Sequence, residues 1–373
     1  MTDPTQPGCA DRVAIIGAGI GREHLAGYRA LPDRFAVHWL IDLDTARATE
    51  VAGPGAIAIG ERIEAALEDP EVDLIDICLP PHLHVPMAVL ALEAGKDVVL
   101  EKPIAPSLAD CDLLDAAAAA SRRRLFPVFQ YRYGPGTAAL DALIAAGLVG
   151  RPQVASLETH WNRGPDYYAV PWRGTWAGER GGAVLGHAIH NHDLLCRYFG
   201  APAAVSAQVA TRVNPIETED CAAIALRFDT GALATSSVTL GGATDTSRLR
   251  LVFEHLTATS GDLPYAPADG AWTFTARDPA RQAQVDAVLD ALPAAKSGFA
   301  GYLDAIADAL EGQAGREVTL ADGRRSIELV TAVYAAARRR TEVALPLAVG
   351  AEFYEGWLPD KTPLEGAGAQ AGR

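Results

Sequence analysis

Lys102 and His190 carry the two kinds of side chain that the oxidation of an alcohol requires. The reaction needs a base for the hydroxyl proton and a positive charge where the alkoxide develops. An imidazole, whose usual pKa is about 6.5, suits the first task, and an ammonium group suits the second. Asp193 follows His190 by three residues, so both share a helical face if residues 188–199 form a helix. A carboxylate at that position is expected to orient the imidazole or raise its basicity.

The sequence around Lys102 places it where a ligand would bind. The apolar run 98–100 precedes Glu101-Lys102-Pro103, a pattern typical of a buried parallel strand with a charged tip. A residue before proline favours extended backbone, so Lys102 is expected to continue the strand direction. Ligands of open α/β sheets bind beyond the carboxyl ends of the strands. The alternative is that Lys102 forms only an ion pair and that His190 is a packed helix residue.

A glycine turn near the N-terminus predicts a dinucleotide site. The apolar strand 12–16 runs into Gly17-Ala18-Gly19-Ile20-Gly21 and a helix-like segment. Glycines permit the tight turn that brings backbone N–H groups to a pyrophosphate at a helix N-terminus. A second strand, 35–41, ends at Asp42, where the ribose-binding acid is expected, and this acid favours NAD over NADP. Arg47, five residues later, could soften that preference.

The segments that follow alternate between strand and helix patterns. Helices are expected at 45–52, 84–94 and 108–120, and strands at 74–79, 97–100 and 125–129. Such alternation implies right-handed crossovers and a parallel sheet. We therefore predict an α/β Rossmann dinucleotide-binding domain over residues 1–130.

Beyond residue 130 the pattern predicts an α+β domain over residues 131–373, with a large, mostly antiparallel open sheet. Its strands are expected at 153–160, 205–213, 222–228, 231–240 and 248–254, and its helices at 135–147, 299–310 and 322–340. Asp229-Thr230-Gly231 is expected to form a hairpin turn. Because such a sheet should not leave a wide apolar face in water, self-association is predicted. The tail from residue 361 is rich in glycine and alanine and is predicted to be disordered.

Composition narrows the class of partner and the compartment. The 373 residues carry a net charge of -15, which argues against nucleic acid or an anionic membrane as partner. No apolar stretch approaches the roughly 20 residues needed to span a bilayer, and the first eleven residues do not read as a secretory signal. The five cysteines are scattered without a Cys-x-x-Cys pair, as suits reduced thiols in the cytoplasm.

Several further motifs occur in a characteristic order along the chain. They are Pro80-Pro81-His82-Leu83-His84, Glu101-Lys102-Pro103, Gly181-Gly182, His190-Asn191-His192-Asp193, Glu219-Asp220 and Asp322-Gly323-Arg324-Arg325-Ser326. Together with the glycine turn and Asp42, they resemble the oxidoreductases named for glucose–fructose oxidoreductase, inositol dehydrogenase and the rhizopine-catabolism protein (Gfo/Idh/MocA). The resemblance covers nearly all of the chain, roughly residues 11 to 345.

This resemblance implies hydride transfer between nicotinamide and a secondary alcohol of a sugar, polyol or cyclitol. It also implies homodimers or homotetramers formed sheet against sheet, with Lys102 as active-site lysine, His190 as acid/base and Asp193 as its carboxylate. The expected cofactor contacts are Gly17, Gly19, Ile20, Gly21, Asp42, Leu79, Pro80, His84, Glu101, Lys102 and Gln130. The expected substrate contacts are Lys102, Arg132, Asn162, Arg173, His187 and His190.

The chain departs from the family pattern at three places. The glycine turn is one residue shorter than usual, and Gln130 stands where asparagine is common. Gly186 stands where many members have a carboxylate or an amide, so His187 beside it is a candidate replacement. Substrate contacts at that point are therefore expected to differ.

Other features have more than one interpretation. The histidine-rich segment 187–193 could ligate a metal, but its spacing disfavours this and no metal is expected. His24 and His84 lie near helix starts and are expected to be structural or to contact the cofactor peripherally. The aromatic and arginine-bearing segment 161–176 is either ordinary packing or a sugar-binding wall.

These observations predict an NAD-dependent dehydrogenase. One alternative is a non-enzymatic sensor or regulator that binds the dinucleotide on the same scaffold. Another is an enzyme that keeps NAD tightly bound and uses it without net redox change. An acid/base pair favours the enzymes over the sensor, because a binding module has no need of one.

Overall fold

The computed structural model of the protein describes residues 10–313 and 315–359. Within them lie two β-sheets, one of six strands and one of eight, together with the helices that cover them. Cys9 and the tail predicted from residue 361 fall outside the described residues.

The first sheet is entirely parallel and has the strand order β3-β2-β1-β4-β5-β6. Its strands are β1 (Asp11–Ile16), β2 (Phe35–Ile41), β3 (Ala58–Gly60), β4 (Leu74–Ile77), β5 (Asp97–Leu100) and β6 (Leu125–Pro127). The helices between them are α1 (Gly21–Arg29), α2 (Thr45–Ala52), α3 (Glu64–Leu67), α4 (His84–Glu93) and α5 (Leu108–Ser121). The central strands β4 and β5 are almost fully buried, as parallel strands covered on both faces are.

The carboxyl ends of these strands differ from the prediction. β4 and β6 each stop two residues earlier than expected, because the backbone leaves the sheet there. The Glu101 N–H still donates to the carbonyl of Ile77, after which the chain turns and the Lys102–Pro103 peptide bond is cis. The expectation that Lys102 continues the strand was therefore wrong, and Lys102 lies in the loop after β5.

The second sheet has the order β13-β12-β11-β7-β10-β9-β8-β14, and all neighbours are antiparallel except β7 and β10. Its strands are β7 (Pro152–Asn162), β8 (Pro202–Ala210), β9 (Cys221–Phe228), β10 (Leu233–Thr239), β11 (Gly241–Phe253), β12 (Leu256–Thr259), β13 (Thr273–Ala276) and β14 (Val343–Ala344). The predicted fold class is confirmed: a Rossmann domain precedes an α+β domain with a mostly antiparallel sheet.

The exposed face of the second sheet carries mostly small side chains, some polar and some apolar, whereas a wide apolar face was expected. Strands β9 and β10 alternate between buried and exposed positions, and serine, threonine and alanine occupy most of the exposed ones. The neighbouring residues Val154 and Leu233 are the large apolar side chains exposed on β7 and β10. A groove of about 1150 Å³ lies over this face, and neither Lys102 nor His190 lines it.

The remaining helices cover the other face of this sheet and the region between the sheets. They are α6 (Pro135–Ala145), α7 (Pro165–Tyr168), α8 (Trp176–Glu179), α9 (Ile189–Phe199), α10 (Gln282–Asp290), α11 (Gly298–Leu310) and α12 (Leu320–Arg339). Helix α9 packs against β7, and α12 packs against β8. Across the described part of the chain, no helix has both the length and the apolar character needed to cross a bilayer.

Helices α11 and α12 also complete the packing of the parallel sheet. A Cβ at Gly27 of α1 would lie 2.9 Å from Cβ of Phe299, so only glycine lets α11 approach α1 this closely. The Tyr302 hydroxyl donates to the Phe126 carbonyl at 2.8 Å, and α12 contacts α5 and β6. The two predicted domains therefore share packing that the assignment of residues 1–130 and 131–373 did not include.

Candidate active site

The glycine turn lies at the carboxyl end of β1 and leaves an open cradle before α1. Gly17 has a φ of +105°, and a Cβ there would lie 2.4 Å from the Cys78 carbonyl oxygen, so the position requires glycine. A Cβ at Gly19 would meet nothing within 4 Å, and Ile20 is 44% exposed beside it. Gly21 is buried and lets α1 approach β1. The short turn thus still fits a pyrophosphate at the N-terminus of α1.

Asp42 lies at the end of β2 with its carboxylate turned to the same cradle. One of its oxygens accepts the Ala18 N–H at 2.7 Å and the other accepts the Asp44 N–H at 2.8 Å. Arg47 donates to both oxygens, at 2.7 and 2.8 Å. Burial would raise the pKa of Asp42, but these hydrogen bonds lower it overall. The carboxylate is therefore charged, and Arg47 is the side chain that a ribose would have to displace.

The loop after β4 carries three of the predicted cofactor contacts. Leu79 and Pro80 are partly exposed at the carboxyl end of the sheet. His84 is fully buried, with its ring nitrogens 2.7 Å from the carbonyl oxygens of Leu79 and Pro103, and burial lowers its pKa. His84 thus ties two loops of the cleft together, which accords with the structural one of the two roles expected for it.

A buried chain of charged groups holds the loop of Lys102. His24 lies 2.8 Å from an oxygen of Asp76 and 3.2 Å from an oxygen of Glu101, and the other Glu101 oxygen accepts the Lys102 N–H. Burial would lower the pKa of His24, but Asp76 raises it well above its usual value. Burial would likewise raise the pKa of Glu101, but His24 lowers it to about 2. Glu101 therefore fixes the backbone of Lys102 rather than lying open to a cofactor.

Lys102 extends from this loop to the turn before α9. Its Nζ donates to the Gly186 carbonyl oxygen at 2.8 Å. Burial lowers the pKa of Lys102, and the charges of Glu101 and Glu179 oppose that effect. A Cβ at Gly186 would meet nothing within 4 Å, so the missing side chain leaves space beside the ammonium group.

The turn that presents Gly186 is a π-helical segment, Val184–Ala188, which runs directly into α9. Helical turns of this kind are rare and often mark functional sites. Glu219 holds the start of the segment, because its carboxylate accepts the N–H groups of Gly182 and Val184 and the Tyr334 hydroxyl. The buried carboxylate therefore fixes the turn on which Gly186 and His187 lie.

We expect Glu219 to make stability depend on pH. Burial raises its pKa from 4.5 to about 7, so the folded protein binds a proton there that the unfolded chain has released. The free energy of unfolding should therefore fall by roughly 3 kcal/mol between about pH 4.5 and pH 7 from this group alone. Urea unfolding at pH 5 and pH 8 should show that Glu219→Gln loses this component. Glu217→Gln, at an exposed carboxylate, is the control and should keep the pH dependence of the wild type. An unchanged pH dependence in Glu219→Gln would contradict the expectation.

His190 lies near Lys102 in an aromatic environment. Its ring stacks on Tyr131 with centroids 4.4 Å apart and meets Phe129 edge to face at 5.8 Å. Its Nδ1 is buried and has no hydrogen-bond partner among the described residues, and the same is true of Gln130 Oε1. Burial, and next the charge of Lys102, lower the pKa of His190 well below 6.5. His190 is therefore a neutral imidazole at physiological pH.

Asp193 does not orient His190 as predicted. Both of its oxygens accept from Arg132, at 2.6 and 2.7 Å, and Arg132 also pairs with Asp322 at 3.2 Å. Burial would lower the pKa of Arg132, but the two carboxylates raise it. Arg132, predicted to contact substrate, is instead committed to a buried ion-pair cluster, because two carboxylates from α9 and α12 converge on its guanidinium.

The segment 161–176 forms one wall near the π-helical turn. His187 is buried, with its Nε2 3.4 Å from the Tyr167 hydroxyl and its Nδ1 without a partner among the described residues. Burial and Lys102 lower the pKa of His187 well below its usual value. Trp161 packs edge to face on His187, while Arg163 pairs with Asp245 at 2.9 Å.

Two other residues of this region were predicted to contact substrate, Arg173 and Asn162, and their surroundings differ. Arg173 lies over the Tyr167 ring, 3.9 Å from its centroid. Asn162 is exposed at the end of β7; its backbone N–H donates to Asp245 and its carbonyl oxygen accepts from the Arg163 guanidinium at 2.7 Å. In the described residues, the histidine-rich segment 187–193 supplies no cluster of metal-ligand atoms. The group that does is His24, Asp76 and Cys78, within 4.8 Å of one another.

Sequence reasoning missed three residues that shape the site and assigned no role to a fourth, Glu219, whose motif it had noted. Tyr131 stacks on His190, Tyr167 contacts His187, the charge of Glu179 acts on Lys102, and Glu219 holds the turn. The position of Tyr131 beside Gln130 could have indicated it. Tyr167 and Glu179 lie in an irregular segment, which offers no periodicity from which to place them.

Comparison with known proteins gives consistent matches. Residues 12–129 match a family model described as "Oxidoreductase family, NAD-binding Rossmann fold", and residues 137–259 match the "GFO/IDH/MocA C-terminal domain". An uncharacterized oxidoreductase of Synechocystis sp. is 30% identical over 239 residues, which are 57% of this chain and 61% of that protein. The chain thus spans about three fifths of that relative. The prediction of NAD as cofactor is confirmed by the first family model.

Other relatives have named activities. Levoglucosan dehydrogenase of Pseudarthrobacter phenanthrenivorans is 25% identical over 266 residues, 61% of this chain and 67% of that protein. The structure of the WlbA dehydrogenase of Bordetella pertussis, in complex with NADH and UDP-GlcNAcA, superimposes with a TM-score of 0.78 at 27% identity. That match covers 91% of this chain and 100% of the other.

Proposed function

The chain belongs to the GFO/IDH/MocA oxidoreductase family, and from this premise we propose that it is an NAD-dependent dehydrogenase of a secondary alcohol in a sugar, polyol or cyclitol. The observation that carries the proposal is that the Lys102 Nζ donates to the Gly186 carbonyl oxygen at 2.8 Å, in the π-helical segment that runs directly into the helix of His190. Burial, and next the charge of Lys102, lower the pKa of His190, which accords with the two side chains belonging to one site.

Each of the two residues has a role that its surroundings support. NAD⁺ would supply the acceptor for the hydride of the carbinol carbon, so no protein group has to carry it. Because burial keeps His190 a neutral imidazole, one of its ring nitrogens is unprotonated and can take the hydroxyl proton. The ammonium of Lys102 stabilises the developing alkoxide before the carbonyl forms. Asp193 acts at a distance, by holding Arg132 rather than the imidazole.

The class of substrate rests on the wall formed by segment 161–176 and on the named relatives. Aromatic faces such as that of Trp172, which is 36% exposed, cover apolar C–H groups of sugars. Relatives named for levoglucosan and crystallised with UDP-GlcNAcA act on or bind sugar derivatives. We extend that class to this chain as a proposal.

A panel of sugars, polyols and cyclitols tests the activity with NAD, read at the absorbance band of reduced nicotinamide. Turnover with at least one secondary alcohol, lost on mutation of Lys102, supports the dehydrogenase. The sensor predicts tight NAD binding without turnover. An enzyme that uses tightly bound NAD without net redox change would convert its substrate while the absorbance stays constant.

We expect NAD to be preferred over NADP because Asp42 is charged and would repel a 2′-phosphate. The preference in kcat/KM should be at least about tenfold, since like charges in contact cost more than about 1.4 kcal/mol. Asp42→Ala should reduce the ratio, and Arg47→Ala should increase it, because Arg47 is the cation that now pairs with Asp42. Equal kcat/KM for NAD and NADP in the wild type would contradict the role of Asp42.

Assembly remains part of the proposal. Dimers or tetramers through the eight-stranded sheet are supported by the breadth of its exposed face and by the groove that lies over it. That face carries small side chains together with charged ones, such as the intrachain ion pair of Arg248 with Glu158, so a contact between subunits would be partly polar. The net charge of -15 supports the view that nucleic acid is not a partner.

A further inference from the structure

Arg173 differs from the other two arginines near the site in what its guanidinium contacts. Arg132 is held by two carboxylates, and Arg163 is held by Asp245 and Tyr265. Arg173 has no carboxylate within ion-pair distance among the described residues, and its one hydrogen bond, 3.4 Å to the Tyr167 carbonyl, is long. Its Nε is buried and has no partner in that part of the chain. A partly desolvated guanidinium with free donors calls for an anion.

The surroundings of Arg173 hold it in place without neutralising it. Its guanidinium lies 3.9 Å from the centroid of Tyr167 and 5.4 Å from that of Trp172, so aromatic faces fix its position. Tyr167 in turn contacts His187, whose neighbour Gly186 accepts the hydrogen bond of Lys102. Arg173 is thus connected to the reacting centre through one short chain of contacts.

The charge of this region remains positive. Glu179 is a carboxylate on which the charges of both Arg173 and Lys102 act; burial raises its pKa, and its Oε2 already accepts the Gly174 N–H. His187 contributes no charge, because burial and the nearby cations keep it neutral. Gly186 has no side chain, so the π-helical turn adds no acid and leaves space beside Lys102.

We propose that the substrate carries a carboxylate, as a sugar acid does, and that Arg173 binds it while the alcohol to be oxidised faces Lys102 and His190. Arginine presents a planar pair of donors that matches a carboxylate, which explains the choice of arginine over lysine. This inference rests on the proposed function and deepens it. The preference for an acidic substrate comes from the free guanidinium of Arg173 and from the space beside Gly186.

The test pairs neutral sugars with acids of the same carbon skeleton, such as glucose with glucuronate and galactose with galacturonate, and includes the corresponding sugar phosphates. With NAD and the full chain, kcat/KM should be at least about 30-fold higher for the acids, the factor expected for a desolvated charge pair. Arg173→Gln should reduce that ratio toward one, and Arg173→Lys should retain part of it. Arg151→Gln, at an exposed arginine at the start of β7, is the matched control and should keep the full ratio.

Several results would overturn the inference. One is a kcat/KM for neutral sugars equal to that for their acids. Another is a higher kcat/KM for sugar phosphates than for the carboxylates. The third is a preference for acids that is unchanged in folded Arg173→Gln. If no member of the panel is oxidised, the proposed function fails, and calorimetry on the NAD-loaded protein decides the inference alone. Binding of the acids that is lost in Arg173→Gln supports it, and equal binding or no binding of acids and neutral sugars sinks it.

Discussion

Replacing Lys102 by alanine is expected to lower kcat by about 100- to 1,000-fold, the usual cost of losing one preorganised charge at a developing oxyanion. The Nζ of Lys102 is held 2.8 Å from the Gly186 carbonyl, so its position is set before substrate binds. KM for NAD should change little, because the glycine turn and Asp42 lie elsewhere on the sheet edge. Steady-state kinetics with the preferred alcohol, together with the melting temperature of the same preparations, measures the effect.

Lys96 provides a matched control for this substitution. It is a buried lysine in the same domain, and its ammonium donates to the carbonyls of Asp69 and Val72. Lys96→Ala should lower the melting temperature while kcat is retained, because those bonds are purely structural. If folded Lys102→Ala kept a near-normal kcat, Lys102 would be only a structural ion-pair partner and the mechanism would fail.

His190→Ala is expected to lower kcat by about 100- to 10,000-fold and to change the pH profile. The base must be neutral, and its pKa lies well below 6.5, so kcat/KM for oxidation should rise with pH at a pH below 6.5. The fall at alkaline pH should begin below 10.5, because burial lowers the pKa of Lys102. In His190→Ala the acidic limb should disappear and the alkaline limb should remain.

His192 lies on the same helix as His190, and its substitution distinguishes a loss of catalysis from a loss of packing. It is buried, its Nε2 is 2.9 Å from the Ser236 hydroxyl, and burial lowers its pKa to about 4. His192→Ala should cost stability but keep both kcat and the acidic limb. An acidic limb that survives in His190→Ala, or that vanishes in His192→Ala, would mean that another group is the base.

The first domain could be predicted closely because local signals agreed there. Each local pattern there is compatible with one structure only. The patterns are the glycine turn at residues 17–21, the acid at the end of β2, and the apolar runs of β4 and β5. The short β3 was missed, since three partly buried residues at a sheet edge leave no pattern. In the second sheet, the position of each strand is set by partners far along the chain, as when β7 pairs with both β10 and β11.

The candidate site was only partly predictable for the same reason. The motifs predicted Lys102 and His190 because their neighbours in sequence are distinctive, and the structure brings Lys102 to the turn before the helix of His190. The predicted partner of Asp193, His190, was wrong. Helical spacing places His190 near Asp193 but gives no information about Arg132, which lies 61 residues earlier and binds the carboxylate. The charge on His190 also depended on burial by Tyr131 and Phe129, which spacing cannot supply.

The packing of α11 on α1 has a consequence for biosynthesis. The first 130 residues leave the ribosome while the segment that bears Phe299 and Tyr302 is still untranslated. Until it emerges, the α1 surface around Gly27 and the Phe126 carbonyl of β6 stay uncovered in the nascent chain. The packing of the nucleotide-binding half is therefore completed only by the last third of the polypeptide, and the surface left uncovered in this interval is of the kind that makes partly folded chains prone to aggregate.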